Sequence, residues 1–280
     1  MKRTVVVTGA AGFLGKAVSR RLKKHGFHVR SIDRVATGEN EEFVVDLADN
    51  DFFAKISRLP KADVIVHLAA VVNFENIMDD LFVPNVVATA ELARWAKATG
   101  AYFVFASSIT VHGLRTALIN QATGIAPDTA YARSKWLGEE LVRAAGLEHL
   151  ILRISGIYGH NGPGHLALNR AIDQAMLGNL PTLVGDGKAK RNYVYVDDLA
   201  ATIVNAIDRK IIGTHFAAGP VPVTIADMLK EICAVFLPGQ SPIGLPGETG
   251  SDQIVEPSSE LLAGRSFKQV LEIIKSGGMA

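Results

Sequence analysis

Tyr131-Ala132-Arg133-Ser134-Lys135 sets a phenol and an ammonium four residues apart. On a helix that spacing puts both side chains on one face. A neighbouring ammonium stabilises phenolate and would draw a tyrosine pKa from about 10 toward neutrality. An acid/base working at pH 7 has to titrate there. Such a pair is also common on helix surfaces, and alone it would be read that way. Ser107-Ser108 follows an apolar run, Tyr102 to Ala106, that reads as a buried strand. The carboxyl ends of strands in a doubly wound sheet face the ligand crevice. A serine there is placed to hydrogen-bond a substrate hydroxyl or carbonyl; the plainer alternative is a helix cap.

A second constellation is Thr8-Gly9-Ala10-Ala11-Gly12-Phe13-Leu14-Gly15, between a β-branched run and a helical pattern. Glycine lets the backbone turn sharply and approach a pyrophosphate. The helix N-terminus offers free N–H groups to the anion. Three glycines alone also fit a tight strand–helix turn. Asp33, at the end of the second strand-like run, lies 18 residues after Gly15, close to the ~20 expected of the acid that holds a ribose diol. A carboxylate there repels a 2′-phosphate, so NAD is expected over NADP. Arg34 works against that choice.

These residues need a frame. Thr4 to Thr8, Val29 to Ile32, Phe43 to Val45, Val64 to Leu68, Tyr102 to Ala106 and Leu150 to Ile154 read as strands. Phe13 to His25, Val86 to Ala98 and Tyr131 to Ala145 read as helices between them. The alternation predicts an α/β fold, a doubly wound parallel sheet of Rossmann type with a small C-terminal lobe. Farther on, Asp198 to Asp208 and Ile225 to Phe236 read as helices and Thr214 to Ala217 as a last strand. Pro238 to Gly250 reads as loop.

Composition narrows the class. The 280 residues are 48% hydrophobic and 20% charged, with a net charge of +1. That is ordinary globular composition without a basic field for nucleic acid. No apolar run reaches the ~18 residues of a membrane span. Cys233 is a lone cysteine, so no internal disulfide or thiolate metal cluster is expected, and no metal site. Met1-Lys2-Arg3 and the apolar run after it resemble a leader, but glycines break that run and Lys16 closes it. A cytoplasmic protein is expected.

Together these motifs resemble the extended short-chain dehydrogenase/reductases, in the branch of NAD-dependent sugar-nucleotide epimerases and dehydratases. The likeness runs over about residues 4 to 219, through TGAAGFLG at 8–15, Asp33, Asp46-Leu47, HLAA at 67–70, Asn85, ASSITVHG at 106–113, YARSK at 131–135, LRISGIYG at 152–159 and RNYVYVDDLA at 191–200. The resemblance implies pyrophosphate contacts at Gly9, Gly12, Phe13, Leu14 and Gly15. It implies ribose contacts at Asp33 and adenine contacts at Asp46 and Leu47. Leu68, Ala69 and Ala70 would pass beside the cofactor. Ser108, Tyr131 and Lys135 would be catalytic, with Tyr131 and Lys135 also touching the nicotinamide ribose. Thr110 and Arg191 would face substrate, Arg191 as a phosphate ligand. A structural turn with Asp198 capping a helix near Leu199 explains 191–198 equally well.

The resemblance also implies a dinucleotide-binding domain over 1–159, rejoined by 191–219, and a substrate lobe from 160–190 and 220–280. A homodimer through the helices that carry Leu92, Trp95, Trp136, Leu137 and Leu141 is expected. There are departures. Ile109-Thr110 stands where dehydratases carry an acidic pair, which disfavours dehydration. His112 replaces a usual tyrosine, and His160 a usual proline. The tail after Gly219 is short and lacks the usual diphosphate-gripping arginine, with Leu262-Ala263-Gly264 as a remnant of a family signature. The expectation is an NAD-dependent oxidoreductase or epimerase acting on a secondary alcohol or ketone of a sugar or nucleotide sugar. Its alternative is a dehydrogenase or reductase of a smaller sugar acid, steroid-like or flavonoid-like ketone. A non-catalytic NAD-binding module is the distant third, having no chemical need of Ser108, Tyr131 and Lys135 together.

Overall fold

The computed structural model describes residues 2–49, 51–59, 61–72, 78–248 and 250–277. Met1 of the leader-like start and Thr249 of the Pro/Gly-rich stretch lie outside these. Val5, Val6 and Val7 are wholly buried, as a strand covered on both faces requires. That strand is β1 (Thr4–Thr8), followed by α1 (Phe13–Lys24), β2 (His28–Asp33) and β3 (Glu42–Val44). Next come α2 (Phe52–Ile56), β4 (Val64–His67), a π-helical turn at Phe82–Val87 and α3 (Ala88–Thr99). Then follow β5 (Tyr102–Ser108), α4 (Ala130–Ala144) and β6 (His149–Ile154). The later elements are α5 (Ala167–Met176), α6 (Val196–Arg209), β7 (Gly213–Ala217), α7 (Ile225–Phe236) and α8 (Phe267–Lys275).

The seven strands form one sheet in the order β7-β6-β5-β4-β1-β2-β3. Pairings β1–β2, β1–β4, β2–β3 and β4–β5 are parallel. This is the doubly wound sheet, and the strand order reverses at β1, between β2 and β4. Val6, Ile65, Phe103, Phe105, Leu92 and Trp95 belong to one core cluster. Gly138 lets α4 press on β5, since a Cβ there would come 2.7 Å from Phe105 Cζ.

Two compact units share the chain. The first is Met1–Gly113, Gly124–Arg153 and Ala200–His215; the second is Leu114–Thr123, Ile154–Leu199 and Phe216–Ala280. The division differs from the one expected. Residues 114–123 belong to the second unit because Leu118–Ile119 pairs with Ile254–Val255. Residues 191–199 belong to it because Lys190–Arg191 pairs with Val223–Thr224, and Val194–Tyr195 with Ile157–Tyr158. The stretch from Pro238 is not all loop, for Ile243–Leu245 pairs with Thr182–Val184. Helices α5 and α8 were not expected either. No helix among the described residues is long and apolar enough to cross a membrane.

Candidate active site

The glycine turn is built by excluding side chains. Gly9 has φ +72°, and a Cβ on it would lie 2.7 Å from Ala69 N. A Cβ on Gly15 would fall 2.0 Å from the Gly9 carbonyl oxygen. Neither place admits another residue without moving backbone. The Gly9 N–H donates to Ile32 O at 2.9 Å, tying the turn to β2. Asp33 braces it from the other side: one carboxylate oxygen accepts from Ala11 N–H at 2.9 Å and the other from Val35 N–H at 3.2 Å. Two amides leave acceptor capacity on that carboxylate for ribose hydroxyls.

Beyond the turn opens a cavity of about 630 Å³, within the ~300–1,000 Å³ of small-molecule sites. Gly9, Gly12, Asp33 and Arg34 line it. Asp46, Leu47, Leu68, Ala69 and Ala70 line it as well. Phe13, Leu14 and Gly15, expected among the contacts, do not line it. Leu14 turns into the core and Gly15 lies beneath Gly9. Residues not singled out beforehand do line it, among them Lys16, Val35 to Thr37, Val71, Val72 and Pro84. A helix N-terminus behind a glycine turn, beside a carboxylate at a strand end, suits a pyrophosphate and a ribose. The residues fit a bound dinucleotide.

The wall at 68–72 is held by a buried polar network. The Thr8 hydroxyl bonds His67 Nδ1 at 2.7 Å, and His67 Nε2 bonds Thr89 Oγ1 at 2.9 Å. Burial drives the His67 pKa down to about 3, so the ring is neutral. Asn85, set by the π-helical turn, accepts from Val71 N–H at 2.8 Å and donates to Val71 O at 2.9 Å. Its amide also donates to Ser134 Oγ, which donates to Tyr131 O. One side chain thereby joins the cavity wall to the helix of Tyr131. Asn85 was part of the family likeness, but its clamping role carried no signal in the chain.

Lys135 is buried, and its ammonium donates to Ala106 O at 2.9 Å. It stands 5.1 Å from the Phe105 ring centroid and 5.9 Å from that of Tyr131. Desolvation lowers its pKa to about 8, with Glu139 opposing. Burial pushes the Tyr131 phenol up to about 12. The expected lowering toward neutrality is absent, because loss of hydration raises the phenol. Ser108 closes β5, and its Oγ accepts from Thr110 N–H at 3.2 Å and from Thr110 Oγ1–H at 2.9 Å. The capping role is thus present, and the Ser108 hydrogen is left to donate. Ser107 donates instead to Glu139 at 2.6 Å.

Glu139 is fully buried and also accepts from Arg153 and Arg143. Arg153 donates to His112 Nε2 at 3.1 Å, so His112 Nδ1 carries the hydrogen given to Gly124 O at 2.9 Å. His112 is a packing residue with both nitrogens engaged.

In the second unit Arg191 donates to Lys190 O at 2.8 Å and Ser251 O at 2.6 Å. It borders a cavity of only about 20 Å³ with Tyr193 and Phe267. Asp198 does not cap a helix at Leu199; α6 begins at Val196. Its carboxylate instead takes the Arg265 backbone N–H at 2.8 Å and the Arg265 Nε–H at 2.7 Å. The tail therefore has an arginine, and an aspartate holds it.

Glycine turn, strand-end carboxylate and Tyr–Lys helix define a dinucleotide-dependent enzyme of the short-chain dehydrogenase/reductase type. The model of the NAD dependent epimerase/dehydratase family matches residues 5–219, and the chain belongs to that family. It is 30% identical over 229 residues to UDP-glucose 4-epimerase of Mycolicibacterium smegmatis, covering 72% of each chain. It is 29% identical over 237 residues to UDP-N-acetyl-alpha-D-glucosaminuronate decarboxylase of Bacillus cytotoxicus, covering 76% of this chain and 74% of that one. The fold matches UDP-glucuronic acid 4-epimerase from Bacillus cereus, solved in complex with NAD. There the TM-score is 0.83 at 23% identity, over 98% of this chain and 97% of that one.

Proposed function

We propose that this enzyme epimerises a secondary alcohol of a nucleotide sugar, with Tyr131, Lys135 and Ser108 as catalytic residues. The carrying observation is Lys135, buried beside the Tyr131 ring and pinned to β5 two residues before Ser108. NAD, when bound, supplies a hydride acceptor and a positive ring. The Gly9–Gly15 turn and Asp33 hold it, and Leu68 to Ala70 flank it. Tyr131 passes the proton: as phenolate it takes the substrate hydroxyl hydrogen, and as phenol it returns one. Lys135, still mainly ammonium at pH 7, favours the phenolate. Ser108 donates to the developing carbonyl oxygen.

Ile109 and Thr110 supply no carboxyl group for elimination, which supports epimerisation over dehydration. The relative named an epimerase supports it further. Arg191 serves as the phosphate ligand, and Thr110 faces the sugar through Ser108. The enzyme works in the cytoplasm as a homodimer. Trp136, Leu137 and Leu141, half-buried on α4, form that interface, whereas Leu92 and Trp95 are core residues. A second reading, reduction of a smaller ketone, is favoured by the engaged Arg191 and the small cavity beside it. The test is conversion of a panel of UDP-sugars by the purified protein without added NAD, followed by absorbance. Product without net NADH supports epimerisation. A strict requirement for stoichiometric NAD or NADH favours the second reading.

A further inference from the structure

The cavity wall from Val35 to Thr37 belongs to no helix or strand. Such a segment would lose conformational freedom on binding a ligand unless something already holds it. At another stretch of the lining, Asn85 clamps Val71. At 35–37 a surface carboxylate does the same work. Glu42 opens β3 opposite Ser31, and the Ser31 N–H donates to Glu41 O at 2.9 Å. The backbone of Glu42 is therefore part of the sheet.

One oxygen of Glu42 takes four donors. Thr37 N–H reaches it at 2.6 Å, Thr37 Oγ1–H at 2.8 Å, Gly38 N–H at 2.8 Å and Glu39 N–H at 3.4 Å. Successive amides converging on a point form a nest for an anion, and here the anion comes from the chain itself. These bonds hold the Glu42 carboxyl below the usual carboxylate range, with Thr37 the main cause.

We propose that Glu42 is a positioning residue for the adenosine end of the dinucleotide, fixing the 35–37 wall beside Asp33 before the cofactor arrives. The assignment rests on the NAD reading above. Val35 is held by Asp33 and Thr37 by Glu42, so two carboxylates anchored in the sheet shape one wall. Glu42 touches no reacting atom, and its effect is confined to cofactor affinity.

Calorimetric titration of the full chain with NAD, and separately with ADP-ribose, tests this. Glu42→Ala is expected to weaken both ligands by roughly tenfold, the scale of one lost ordering contact. The melting temperature of the ligand-free protein should fall by no more than a few degrees, the scale of one exposed hydrogen-bonded cluster. Glu42→Gln keeps an acceptor oxygen and should recover most of the affinity. Unchanged affinity in Glu42→Ala, with NAD still bound by the parent protein, overturns the role of Glu42 alone. A fall in melting temperature matching the loss of affinity, without recovery in Glu42→Gln, also overturns it. Failure of the parent protein to bind NAD or ADP-ribose overturns the cofactor reading, and Glu42's role with it.

Discussion

The first unit encloses a roomy cavity beside its glycine turn, whereas the cavity beside Arg191 in the second unit is small. The Gly9 and Gly12 backbone and the Asp33 carboxylate border about 630 Å³ of cavity. Around Arg191 the guanidinium binds two carbonyls of its own unit, and the neighbouring cavity is about 20 Å³. Arg265, in the tail, is bound to Asp198. A cofactor bound as proposed would spend little binding energy on ordering the turn, which Asp33 and Ile32 already hold. A phosphate at Arg191 would first have to displace carbonyl partners. On the proposed roles, the cofactor would meet a shape already present, and a substrate phosphate would meet a guanidinium that must change partners.

The largest expected effect tests chemistry within the preformed half. Tyr131→Phe should cut turnover by about 10²–10⁴ while NAD affinity by calorimetry stays within about twofold. Near-normal turnover would remove Tyr131 from the reaction. Gly15→Ala probes the preformed shape itself. Its Cβ would overlap the Gly9 carbonyl, and NAD affinity should fall by roughly a hundredfold or more, on the scale of severe backbone strain. Retained affinity would mean that the turn is pliable and the contrast between the units overstated.

Lys135→Met tests what the preformed site costs in stability. The folded protein releases the Lys135 proton near pH 8, and the unfolded chain near 10.5. The unfolded state thus binds more protons between those values, and stability from this group rises with pH across that window. Below pH 8 the buried charge is most costly. The variant should be more stable than the parent at pH 7 by up to about 3 kcal/mol, and the gap should shrink toward pH 10.5. Urea titrations at pH 7 and pH 10 showing the same gap would contradict the desolvation argument.

Asp33→Ser should narrow or invert the preference for NAD over NADP, shifting the affinity ratio by roughly tenfold, the worth of about one charge-assisted hydrogen bond. NADP binding the parent protein as tightly as NAD would instead point to Arg34. Arg191→Ala should have the smallest effect, weakening a UDP-sugar by roughly threefold to tenfold with NAD affinity unchanged. The loss is small because the arginine gives up two carbonyl bonds to make its new ones. No change in UDP-sugar affinity would leave Arg191 a purely structural residue.

Much of the dinucleotide half was legible in the chain because its signals are local. Three consecutive valines, a glycine turn and a four-residue helix repeat lie within 24 residues of one another in sequence, and β1 and α1 form where that pattern puts them. Tyr131 and Lys135 share a face of α4 for the same reason. The second unit was less legible. Its short strands pair across long separations, as Leu118 with Ile254 does, and two-residue strands carry little periodicity.

The amino-acid sequence by itself determined which residues could turn at Gly9, which could titrate, and that Asp33 would end a strand. Those are properties of single residues and their nearest neighbours. Only the tertiary structure decided that Asn85 would clamp Val71 and that Glu42 would hold Thr37. It alone assigned Arg153 to His112 and Arg265 to Asp198. It also reversed the direction of the Tyr131 shift. The sequence places an ammonium one helical turn away, which favours phenolate, whereas burial under the folded chain removes the water that phenolate needs. Hydration loss depends on what packs around a group from every side, and no spacing along the chain contains that information.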